Sequence, residues 1–97
     1  MKVSGFDWDE ANHGKCQKHG VSIEEIEAVL TGSPRVAPDL AHSADEDRFI
    51  AVGRTAAGRA IFVAFTFRHK GRKRLIRPVS ARYMHRRESE AYDKESS

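Results

Sequence analysis

Apolar positions change their spacing along the chain, and the changes separate helical ends from a stranded middle. Val3 to Phe6 reads as a short extended segment leading to Asp7, an N-cap residue with Glu10 in the capping-box position three residues later. A first helix then carries Trp8, Ala11, Lys15 and Cys16 toward His19 and stops at Gly20, with Gly14 weakening it. The second helix is better marked. Ser22 and Glu25 make a capping box, Val21 and Ile26 a hydrophobic staple, and Ile23, Ile26, Val29 and Leu30 share one face before Gly32 and Pro34 end it. Ser33 to Asp47 contains Pro34, Pro38, Asp39, His42, Ser43 and three further acids, the composition of a long irregular connection holding a short strand at Arg35 to Ala37.

Beyond Asp47 the period becomes two. Arg48 to Thr55 reads as a strand, Ala56 to Gly58 as its turn and Arg59 to Arg68 as a second strand, together a hairpin. In the second strand Ile61, Val63, Phe65 and Phe67 fill one face while Ala60, Phe62, Ala64 and Thr66 fill the other. A strand covered on both faces belongs at the centre of a sheet. The basic turn His69 to Lys73 leads into a third strand, Arg74 to Arg82, whose Pro78 lacks a ladder donor and so marks a bulge or an edge. A last helix from about Met84 has only Met84, Ala91 and Tyr92 as an apolar stripe. The expected fold is α+β: two N-terminal helices, an antiparallel β-sheet of three to four strands and a short C-terminal helix, in one domain spanning residues 1–97.

Composition adds boundaries to this picture. With 97 residues, 39% of them hydrophobic and 32% charged, the chain suits one folded core and not a disordered tail. No apolar run reaches the roughly 18–20 residues of a membrane span, and the first twenty residues are too polar for a signal peptide. The expectation is a cytoplasmic protein without a membrane partner, and the lone Cys16, which has no internal disulfide partner, agrees with a reducing compartment.

Charge changes the picture more. Residues 1–47 carry four Lys or Arg against ten Asp or Glu, residues 48–87 carry twelve cations and no acid, and residues 88–97 carry one cation against four acids. Such a block needs a polyanion to neutralise it, RNA or DNA being the commonest, or else an acidic surface elsewhere on the same molecule.

The motifs carry a resemblance. Phe6-Asp7-Trp8-Asp9-Glu10, Asn12 and Lys18-His19-Gly20-Val21-Ser22 with Glu24 and Glu25 resemble the opening of the BrnT toxin family. Val52-Gly53-Arg54-Thr55 with Gly58, the strand Ile61 to Thr66, and Ile76-Arg77-Pro78-Val79-Ser80-Ala81-Arg82 followed by Met84, Glu88 and Tyr92 are similar to the same family in the same order. The resemblance implies a RelE-like fold and a type II toxin that acts as a metal-independent endoribonuclease on RNA and reduces translation. It also implies a BrnA-like antitoxin, a ribbon-helix-helix dimer, through which alone operator DNA is bound. It implies no cofactor.

RNA cleavage without a metal needs a base for the 2′-hydroxyl, cations for the charge on phosphorus and a proton for the leaving oxygen. The candidate catalytic residues are Arg54, Arg82, Tyr83 and His85. Arg82 would clamp the scissile phosphate with paired donors, Arg54 would reach it from its strand end, His85 would transfer protons and Tyr83 would act as an acid or stack a base. Lys18, His19, Arg77 and Arg86 are candidate RNA contacts. Each has a structural alternative. Arg82 can pair with Glu88 to tie the last helix down, Tyr83 can be a half-buried anchor, His85 a surface residue, and Lys18 and His19 partners of a helix dipole. Trp8 reads as a core anchor, and Glu88 and Tyr92 as structural. His13, Cys16 and His19 sweep too far round a helix to make one metal site. A non-catalytic RNA- or ribosome-binding module, and a co-repressor acting only with its antitoxin, remain open alternatives.

Overall fold

The hairpin at residues 48–68 and the strand that follows build the centre of the computed structural model, which describes residues 3–42 and 45–96 and so leaves out Ser43 of the acidic connection. Strands β1 (Gly5–Phe6), β2 (Arg35–Pro38), β3 (Phe49–Arg54), β4 (Ala60–Lys70) and β5 (Lys73–Tyr83) form one sheet in the order β1-β5-β4-β3-β2. Helices α1 (Glu10–Gln17) and α2 (Ile23–Thr31) lie on one face of it, and α3 (Arg86–Ser96) follows β5. The fold is α+β as expected, with β4 central, but the sheet has five strands among the described residues and is mixed. The correction comes from the two edges. Gly5 and Phe6 pair parallel with Leu75 and Ile76, and β2 pairs antiparallel with β3. Neither segment is long enough to show a period of two by itself.

The core lies between the helices and the first sheet face. Cys16, Val21, Ile26, Val29 and Leu30 pack against Ala51, Ile61, Val63, Phe65, Ile76 and Ala81, with Phe49, Phe67, Trp8 and Tyr83 at the margin. Val21 and Ile26, the expected staple, are both buried, and Ser22 and Glu25 close the expected capping box.

The first helix starts two residues later than the sequence suggests. The Asp7 N–H donates to the Ile76 carbonyl, which holds Asp7 in line with β1, so Asp9 becomes the N-cap and closes its box with Asn12. Asn12 is buried, and its amide donates to the carbonyls of Asp7 and Pro78 at 2.9 and 2.8 Å, fixing α1 to β5. Trp8 is half-buried, and its indole N–H donates to Glu27 at 2.8 Å, which links the segment before α1 to α2.

Pro78 does mark a bulge. Ala64 pairs with Ser80 but Phe65 pairs with Pro78, so Val79 is an extra residue on β5 and the alternation of that strand reverses across it. Ile76 and Pro78 before the bulge, and Ala81 and Tyr83 after it, therefore face the helices, while Ser80 and Arg82 turn to the second face. No helix among the described residues is long and apolar enough to cross a membrane.

Candidate functional site

The second sheet face is where backbone geometry places polar chemistry over an apolar floor. Ile50, Phe62, Ala64 and Ser80 form the floor of a cleft of about 530 Å³ whose walls carry His19, Asp39, His42, Arg48, Arg82 and Glu88. A second cleft of about 470 Å³ lies beside it, between α3 and the β2–β3 edge, lined by apolar residues that include Val36, Val52, Met84, Ala91 and Tyr92.

Arg82 is the cation that the bulge aims into the first cleft. Its guanidinium donates to both carboxylate oxygens of Glu88 at 2.9 Å each and lies 4.4 Å from the centre of the Phe62 ring. The pairing with Glu88 raises the Arg82 pKa further, while Arg82 first, and the His85 backbone N–H second, hold the Glu88 carboxyl down at about 2. Its side chain keeps 41% exposure, enough for an incoming phosphate to reach the guanidinium. Phosphate and carboxylate both match the planar fork, so Glu88 occupies the position an oxyanion would take.

Lining the same cleft as Arg82 is a histidine that the sequence reading left in the irregular connection. His42 ends a single 3₁₀ turn, Leu40–His42, and its Nδ1 lies 3.0 and 3.2 Å from the two carboxylate oxygens of Asp39. The Asp39 side chain is only 13% exposed while that of His42 is 64% exposed, so the carboxylate is held and the imidazole is open. The Asp39 N–H donates to the Arg48 carbonyl at 2.8 Å, which fastens the turn to the start of β3.

The other candidates scatter. Tyr83 follows Arg82 in the strand and so faces the helices. Its hydroxyl donates to Glu25 at 2.8 Å, a bond that raises its pKa, and the Arg59 guanidinium covers its ring at 3.6 Å. Arg54, at the end of β3, donates to the Gly58 carbonyl at 2.6 Å, pairs with Asp93 of α3 and lies near Tyr92. His85 stands exposed at the entry to α3 with its N–H bonded to Glu88. Arg77 is held by Asp9 at 2.9 Å and Asp7 at 3.5 Å, Arg86 pairs with Glu90 at 3.1 Å, and Lys18 is the exposed C-cap of α1. Of the eight, only Arg82 and His19 share the cleft.

The three residues weighed as a metal set diverge as well. Cys16 is fully buried in the core, and its thiol is pushed up to about 11 by that burial, whereas His13 is exposed beside Gln17 and His19 lines the cleft.

The basic block is also less bare than its sequence. Arg54, Arg68, Lys70, Arg77, Arg82 and Arg86 pair with carboxylates from the acidic segments on either side, and Arg59 and Arg74 lie over aromatic rings. Charge balance within the molecule, one of the two readings of that block, accounts for at least half of it. The β4–β5 turn, with Arg72, Lys73 and Arg74 exposed, remains a basic tip.

Among protein families, residues 8–88 match the family model described as the ribonuclease toxin, BrnT, of type II toxin-antitoxin systems. No curated protein matches the chain.

Proposed function

The chain belongs to the BrnT family of ribonuclease toxins of type II toxin-antitoxin systems, and from that premise we propose that it cleaves RNA at the cleft over the second sheet face. The observation that carries this reading is the grouping of Arg82, Arg48 and two imidazoles over an apolar floor. The guanidinium of Arg82 binds the scissile phosphate and stabilises the charge that develops on it, exchanging its Glu88 partner for the substrate. Proton transfer by an imidazole supplies the rest, so the reaction is the metal-independent attack of a 2′-hydroxyl on the neighbouring phosphorus. It acts in the cytoplasm and lowers translation by consuming RNA.

The antitoxin that the family implies is proposed to be BrnA-like, a ribbon-helix-helix dimer that carries operator DNA binding for the complex. RNA and antitoxin compete for one basic face, since a partner that covers it both gains electrostatic affinity and shuts the cleft.

Incubation of the purified protein with RNA in the presence of a chelator tests the reading. Cleavage leaving 2′,3′-cyclic phosphate ends is expected, together with growth arrest on expression. Loss of one such charge-stabilising donor typically costs 10²–10³-fold, so Arg82→Ala should lower the rate by about that factor. Intact RNA with the wild type, or undiminished cleavage by Arg82→Ala, is the result that defeats it.

A further inference from the structure

We propose that His42, oriented by Asp39, is the general base that activates the 2′-hydroxyl, an assignment that rests on the ribonuclease reading of the cleft. Three observations support it. His42 is the imidazole on the cleft wall with a carboxylate at its Nδ1, 3.0 Å away, which assigns the proton to Nδ1 and leaves the Nε2 lone pair to accept another. Asp39 is mostly covered and its own N–H is anchored to β3, so it holds the ring on a fixed support, whereas His42 itself is largely open to the cleft. Arg82 and Arg48 stand on the same walls, so a phosphate bound there has a base to one side. The carboxylate is a positioning group. It orients the ring and stabilises the imidazolium as it forms.

The step balances without a co-reactant beyond water. Nε2 of His42 takes the proton of the 2′-hydroxyl, the 2′-oxygen forms a bond to phosphorus and the bond from phosphorus to the 5′-oxygen breaks. That oxygen takes a proton from water, and His42 returns its proton to solvent. The charged and titratable groups facing His42 in the cleft are Asp39 on its own turn, Arg48 at the entry to β3, His19 after α1, Arg82 on β5 and Glu88 on α3.

The competing assignment is His85, one helix entry away and outside the cleft walls. Single-turnover cleavage of a short end-labelled RNA distinguishes the two, with binding measured in parallel on the same RNA carrying a 2′-deoxy substitution at the cut. General-base removal typically costs 10²–10⁴-fold, so His42→Ala should lose about that much in rate while binding the uncleavable RNA as the wild type does. Added imidazole should restore part of the rate to His42→Ala, and Asp39→Asn should lower kcat with little change in KM. His13→Ala, exposed on α1 and not among the cleft-lining residues, should cleave normally. Wild-type rates in His42→Ala, or a loss seen only in His85→Ala, overturn the dyad and leave the ribonuclease reading standing. A wild type that cleaves no RNA overturns both.

Discussion

Arg82 and Glu88 form one pair that serves the packing and, in the proposed reaction, the chemistry as well. The carboxylate ties the entry of α3 to β5 and occupies the guanidinium proposed to bind the phosphate. Because the Glu88 carboxyl sits at about 2 instead of the ordinary 4.5, its contribution is complete above pH 4.5 and is lost as pH falls from there toward 2. The acid loss of α3 docking is therefore expected in that window, followed by helical circular dichroism or by cleavage within α3. Glu88→Gln should reduce the pH dependence and leave α3 looser at neutral pH.

Among the elements, α1 is fixed to the β5 backbone through the Asn12 amide. Asn12 caps the helix, reaches back to Asp7 and donates to Pro78 across to β5, and its removal leaves the buried Pro78 carbonyl and the part-buried Asp7 carbonyl without that donor. Asn12→Ala should cost about 2–4 kcal/mol in denaturant unfolding, the sum expected for a lost cap and unsatisfied polar groups. The packing of α2 on β3 is governed by space. A Cβ on Gly53 would come within 2.9 Å of the Val29 side chain, so Gly53→Ala should destabilise by about 1–3 kcal/mol. Val29→Ala makes room, so the double variant should be less destabilised than the two single costs added together, a coupling that a double-mutant cycle measures. Between these elements the Val79 bulge decides the site, because without its reversal of parity Arg82 would share the buried face of Ile76.

At the scale of the molecule, charge separated along the chain is partly recombined by the fold. The N-terminal and C-terminal acids reach the central cations, while the β4–β5 tip keeps Arg72, Lys73 and Arg74 exposed as a basic surface. RNA binding should weaken with salt. Replacing Arg72 and Lys73 with Gln should reduce the slope of log affinity against log salt by about 0.7 for each phosphate that is no longer neutralised, whatever the RNA sequence. An unchanged slope would place that tip away from RNA.

The central hairpin, the α2 capping box, the weakly apolar last helix and the Pro78 irregularity were legible in the residues, because each rests on neighbours close along the chain. Family membership was legible too, through motifs in register from Trp8 to Glu88. The edge strands were not fully legible, since Gly5–Phe6 finds its partner only when β5 exists beside it. Nor was the division of the site. Adjacent strand residues look like one junction in sequence, yet Arg82 and Tyr83 stand on opposite faces. His42 was invisible as the proposed base for the same reason. Its carboxylate is three residues away, but the arginines that complete the cleft come from strands that only the folded sheet brings alongside.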